Sequence, residues 1–128
     1  TYDIFRRYQS NVEKSKEDFR KVAEELITDG KKVVGYGASA TGTTLMHHFD
    51  MRHLLAYLVD DFEAKQGLYS PGFNLPVFHP SKIYEDQVDV VVILAWRYKD
   101  KIMAKHKEFL GSGGQFLVPL PSLELITN

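Results

Sequence analysis

The residues best suited to chemistry in this chain are Gly35-Tyr36-Gly37-Ala38-Ser39-Ala40-Thr41-Gly42-Thr43-Thr44, which follow an apolar run and open a segment of helical character. Gly35, Gly37 and Ala40 fit the spacing G-x-G-x-x-A, and Asp60 lies twenty-three residues beyond Gly37. In a strand–turn–helix setting, glycines allow a sharp turn and close backbone approach, and the N–H groups that open the helix attract anions. The hydroxyls of Ser39, Thr41 and Thr43 add donors suited to a phosphate, and Asp60 can accept from a ribose hydroxyl. A second reading stands beside this one: small residues simply let the helix pack closely on the sheet.

The same stretch also reads G-x-x-x-x-G-T-T from Gly37 to Thr44, but Thr43 stands where a triphosphate-binding loop needs Lys, which argues against nucleoside triphosphate hydrolysis. Trp96, Arg97 and Tyr98 end the most apolar run of the chain. In a doubly wound sheet that run reaches the switch point beside the glycine turn, where an aromatic ring and a guanidinium can stack a base and clamp an anion. The plainer alternative is that Trp96 fills core while Arg97 is solvated. Between Asp61 and His79 runs a Gly- and Pro-containing connection that is long for an α/β unit, with Lys65, Gln66 and Tyr69 as its polar contacts. It suits a lid or a docking surface.

Catalytic signals are absent. His47 and His48 are adjacent, so on a helix they diverge by about 100° and cannot share a metal, while His53, His79 and His106 are isolated. The paired acids Asp60-Asp61 and Glu24-Glu25 are neighbours in sequence rather than convergent, and no G-x-S-x-G turn occurs. We assign no catalytic residue and no metal ligand.

The elements that must position these groups alternate. Lys32–Gly37, Leu55–Asp60 and Val88–Trp96 are nearly continuous apolar runs of the kind found in parallel strands covered on both faces. Gln115–Leu120 reads as an edge strand because Pro119 cannot donate to a ladder, and Val77-Phe78 as a very short strand. Helices are expected over Thr41–Asp50, Pro80–Asp86 and Tyr98–Leu110. Ahead of them, Phe5, Tyr8, Val12, Phe19, Val22 and Leu26 recur at spacings of three and four, which predicts one amphipathic helix from Tyr2 to Thr28, stopped at Gly30. Such a helix is roughly 40 Å long, so either its first turns dock beyond this chain or its second half lies across the sheet. The expected fold is α/β and Rossmann-like: a mostly parallel sheet of about 4–5 strands with helices on both faces, over residues 31–128. Residues 1–30 form a leading helix with a linking or docking role.

Composition agrees with one ordinary globular domain: 128 residues, 44% hydrophobic and 26% charged, with formal net charge −1. The balance of sixteen basic and seventeen acidic residues argues against nucleic acid and anionic membranes as partners. No apolar run approaches the length of a membrane span. The lack of cysteine excludes disulfides, thiolate metal sites and a cysteine nucleophile, and a cytoplasmic setting is expected. A start at Thr1 rather than Met leads us to expect a piece of a longer polypeptide.

Several stretches together resemble a known family. The run Val33-Val-Gly-Tyr-Gly-Ala-Ser-Ala-Thr-Gly, Val59-Asp60, Lys65-Gln66-Gly67 with Tyr69 and Pro71-Gly72, Ile93-Leu-Ala-Trp96, and Gly113-Gly-Gln-Phe-Leu-Val-Pro-Leu-Pro121 is similar, in order and spacing, to the C-terminal domain of S-adenosylmethionine (SAM)-dependent sugar C-methyltransferases. The resemblance implies an accessory, substrate-binding domain that helps form the cleft for a nucleotide-linked keto-deoxysugar. It also implies that an upstream methyltransferase domain of the same parent chain carries SAM and catalysis, and that a further module carries zinc. Gly35, Tyr36, Gly37, Ala38, Gly42, Lys65, Gln66, Gly67 and Trp96 fall on matching positions. The sequence departs from the pattern at Thr41, where the family usually has Lys, at Ala64 for a common His, and at Leu68 for a common Arg. A free-standing nucleotide- or CoA-binding module, or a purely structural domain, are the alternatives.

Overall fold

The apolar runs become the centre of one sheet in the computed structural model, which describes residues 3–4, 12–51, 53–70, 73–120 and 123–127. Strands β1 (Asp3–Ile4), β2 (Val33–Tyr36), β3 (Leu58–Val59), β4 (Val77–Phe78), β5 (Val90–Ile93), β6 (Gln115–Val118) and β7 (Glu124–Thr127) assemble in the order β1-β7-β6-β5-β2-β3-β4. Pairing is parallel from β4 through β6 and antiparallel at β6–β7 and β1–β7. The helices are α1 (Val12–Thr28), α2 (Ala40–His48), α3 (Lys82–Glu85), α4 (Lys99–Lys105) and α5 (Lys107–Gly111), with 3₁₀ turns at Glu63–Lys65 and Trp96–Tyr98.

The two-residue period of the strands divides the core in two. Val33, Val90, Val92 and Leu117 point to one face, where they meet Phe19, Val22 and Leu26 of α1 and Leu45 and Met46 of α2. Val34, Tyr36, Val91, Ile93, Phe116 and Val118 point to the other, against Ile83, Ile102, Met103, Phe109 and Leu110. Helices therefore cover both faces, and buried β2 and β5 read as unbroken apolar runs for that reason.

The structure differs from the sequence reading at both sheet margins. The strands number seven among the described residues, not four or five. Asp3 and Ile4 are not helical: they pair with Thr127 and Ile126 of β7, and the leading helix as described is Val12–Thr28, 17 residues. An open strand edge offers unpaired N–H and C=O groups, and that backbone pairing prevails over the three-and-four apolar spacing at the chain start. Phe5 and Tyr8 lie outside the described residues. β6 is not an edge strand, because β7 pairs with its other side, and Pro119 falls one residue past its end, where no ladder N–H is needed. The helix expected over Tyr98–Leu110 is interrupted at His106, with α4 and α5 on either side.

Candidate functional site

From β2 the chain runs outward through β3 and β4, then crosses back to β5 on the other side of β2. Strand order thus reverses between β2 and β5, the place where open α/β sheets bind ligands. A cleft of about 650 Å³ lies there, at the carboxyl ends of β2, β3 and β5. It is lined by the glycine turn with Asp60, Asp61 and Phe62 and by Trp96, Arg97 and Tyr98 with Lys101 and Lys105 of α4, Lys105 joining the two groups through Asp61.

The turn is built by close approach. Gly37 has φ +115°, and a Cβ there would lie 3.0 Å from the Ala95 Cβ and 3.1 Å from the Ala95 nitrogen. Gly35 is packed beneath Leu58 and Leu94, whose methyls would stand 2.7 and 2.8 Å from an added Cβ. Ser39 caps α2 by accepting from the Gly42 amide at 3.1 Å, and the Thr43 hydroxyl donates back to the Ser39 carbonyl at 3.2 Å.

The turn is also closed by its neighbours. Asp60 Oδ2 accepts from the Ala38 amide at 2.7 Å, and its Oδ1 accepts from the Phe62 amide at 2.8 Å. Lys65 Nζ donates to the Ala38 carbonyl at 2.7 Å, and Gln66 Nε2 to the Asp60 carbonyl at 2.9 Å. Thus an internal carboxylate already sits against the turn. A phosphate oxygen about 5 Å from it would meet repulsion of about 3 kcal/mol at an effective dielectric of 20, comparable to what one charge-assisted amide hydrogen bond contributes.

A hydrogen-bonded chain runs from the cleft lining through the buried Tyr36 and His106. Tyr36 Oη donates to Asp61 Oδ2 at 2.8 Å and lies 3.1 Å from His106 Nε2; His106 Nδ1 lies 2.7 Å from Tyr84 Oη; Lys105 Nζ donates to Asp61 Oδ1 at 2.6 Å. Because Tyr36 gives its one proton to Asp61, its oxygen accepts from His106, which assigns the imidazole proton to Nε2 and makes Nδ1 the acceptor for Tyr84. Burial, with Lys105 adding, lowers the His106 pKa, so the ring is neutral at pH 7. Burial and the adjoining Asp61 push the Tyr36 hydroxyl far above the ordinary phenol range. At Asp61 partial burial works upward, but Lys105 and the Tyr36 hydroxyl outweigh it and hold the carboxyl below its usual value.

Of the residues singled out from sequence, Tyr36, Gly37, Ala38, Ser39, Asp60, Lys65, Trp96 and Arg97 line the one cleft. Gly35, Gly42, Thr43 and Gln66 stand behind it as packing or bracing groups, and the side chain of Thr41 lies outside what the structure describes. Sequence reasoning passed over Asp61, Phe62, Lys101 and Lys105 at the cleft and Tyr84 and His106 in the chain that adjoins it. Lys101 and Lys105 carried a usable signal, since each follows Arg97 by a multiple of four residues on one helical segment. Nothing local linked His106 to Tyr36, which is seventy residues away.

Residues 1–121 match the model of the C-methyltransferase C-terminal domain. The chain belongs to that family. C-methyltransferase NovU of Streptomyces niveus is 32% identical over 124 residues, which are 96% of this chain and 30% of NovU. This member of the family therefore spans less than a third of that relative. Its fold is shared with UDP-D-quinovosamine 4-dehydrogenase from Vibrio fischeri, at TM-score 0.50 and 17% identity over 69% of this chain and 76% of that one. Among the described residues no helix is long and apolar enough to cross a membrane.

Proposed function

We propose that this C-methyltransferase C-terminal domain is the substrate side of a methyltransferase acting on a nucleotide-linked keto-deoxysugar, and that its cleft receives the nucleotide portion. The observation that carries this reading is the cleft lining that follows β5: Trp96, Arg97, Tyr98 and Lys101, an aromatic and cationic surface at the switch point of the sheet. Such a surface suits a base, which every nucleotide presents as a flat π-face, and a linked phosphate. Family membership supports the methyltransferase part of the reading, and NovU, of which this chain spans 30%, supports a division of labour within one polypeptide.

The methyl donor SAM does not fit this cleft. Its sulfonium would face Arg97 and Lys101 with like charge, and the two acids of the cleft are already engaged, Asp60 by the Ala38 and Phe62 amides and Asp61 by Tyr36 and Lys105. Zinc has no fitting ligand set here either, since the described residues hold no group of three or more His, Asp or Glu able to bind a metal and the chain has no cysteine. We therefore assign donor, base and zinc to polypeptide outside this chain, and assign to this domain the holding and orienting of the substrate. Amide shift mapping of the labelled protein tests the assignment. A thymidine-diphosphate-linked deoxysugar is expected to move Trp96, Arg97 and Lys101, with SAM moving none of them. Shifts produced only by a dinucleotide or CoA would overturn it in favour of a free-standing nucleotide module.

A further inference from the structure

We propose that the cleft anchors the diphosphate of its ligand on Arg97 and Lys101, and that the glycine turn, despite its phosphate-binding spacing, is a closed scaffold in which Asp60 occupies the anion's place. This deepens the substrate-side reading above and rests on it. Four cations line the cleft: Lys65, Arg97, Lys101 and Lys105. Lys65 is held on the Ala38 carbonyl and Lys105 on Asp61, at 2.7 and 2.6 Å. Among the described residues, no hydrogen bond or ion pair engages Arg97 or Lys101, which both line the cleft; the Arg97 guanidinium lies 5.4 Å from the Trp96 ring centroid.

The two acids of the cleft, Asp60 and Asp61, are both engaged within the protein. Asp60 is fixed against the turn by two amides, and Asp61 is fixed by Tyr36 and Lys105. The Ala38 amide, which an anion would need, already donates to Asp60. Arg97 and Lys101 are thus the cations left to draw an anion, while Asp60 occupies the place where an anion would meet the turn. Tyr98 and Phe62, each 65% exposed, stand at the mouth, where a base can rest on an aromatic face. The ligand class is a nucleoside diphosphate, its phosphates on the α4 side and its base at the aromatic mouth.

The test is isothermal titration of the 128-residue protein with thymidine 5′-diphosphate and with thymidine. Arg97→Ala and Lys101→Ala are each expected to weaken the diphosphate about tenfold or more, the loss of one charge-assisted contact, and to leave thymidine unchanged. Ser39→Ala, which alters the turn, is expected to bind the diphosphate like the parent protein. Circular dichroism establishes that each variant is folded. Unchanged affinity in both Arg97→Ala and Lys101→Ala, or a loss in Ser39→Ala as large as theirs, overturns the anchoring proposal while leaving the substrate-side reading intact. Failure of the parent protein to bind both the diphosphate and its deoxysugar conjugate overturns the two together.

Discussion

Replacing the buried His106 separates hydrogen bonding from titration in the chain that adjoins the cleft. In His106→Leu the Nε2 and Nδ1 contacts to Tyr36 and Tyr84 are lost together. At about 1 kcal/mol each, with a further contribution from the buried Tyr36 oxygen left without a donor, the cost is about 2–3 kcal/mol, or a fall in Tm of about 8–12 °C for a domain of this size. His106→Gln keeps one donor and one acceptor and is expected to cost about 1 kcal/mol at pH 7.5. Their pH profiles must differ from the parent's. The folded-state pKa of His106 lies below its ordinary value of 6.5, so the unfolded chain binds the extra proton first as pH falls. Its contribution is therefore fully present above pH 6.5 and is lost as pH drops below it, by up to about 1.4 kcal/mol per unit. Lys105, Asp61, Tyr36, Tyr84 and Glu108 face this ring or its partners, and the exposed His47, His48, His53 and His79 are common to every variant. Urea unfolding at pH 5.0, 6.0, 7.0 and 8.0 measures the difference. His106→Gln should show a flatter profile than the parent between pH 5 and 6.5, and a slope equal to the parent's would refute both the assignment of a neutral ring and the linkage drawn from it.

Two further expectations concern the frame. Gly37→Val places a side chain at φ +115° against the Ala95 backbone, which should cost about 2–4 kcal/mol in urea unfolding and reshape the cleft; a loss below 0.5 kcal/mol in the same measurement would contradict the close approach. Phe19→Ala removes a fully buried ring packed 5.0 Å from Phe49, so chemical denaturation should register about 3–5 kcal/mol, and a smaller change would mean that α1 is not part of the same cooperative core.

The parts of this fold that depend on local pattern were legible in the sequence. Val33–Tyr36 and Val90–Ile93 are buried on both sides and so are apolar at every position but Gly35 and Tyr36, and the turn after Tyr36 needs small residues whatever its ligand. What stayed hidden depends on distant pairing. Asp3-Ile4 is too short to show a period, and its strand character comes from β7 at the other end of the chain. β7 is four residues long with Leu125 and Ile126 side by side, so no two-residue period marks it, and its strand character comes from pairing with β6 and β1. The glycine spacing was recognised correctly as a turn, but the carboxylate that closes it is visible only once Asp60 is brought within 2.7 Å of the Ala38 amide. The His106 chain joins residues 22 to 70 positions apart, and no spacing rule links them.

The connection from Asp61 to His79 does more than deliver Lys65 and Gln66 to the turn. It folds back along the outer side of β4: the Gly67 amide donates to the Val77 carbonyl at 2.8 Å, the Val77 amide to the Leu68 carbonyl at 2.9 Å, and Tyr69 bridges to Pro76. The outermost parallel strand is thereby hidden from other molecules. Protection of the sheet edge and the shape of the cleft are consequently tied to one segment. Shortening this connection to widen the cleft would strip the cover from β4 as well, and the redesigned protein would lose solubility through strand-to-strand association.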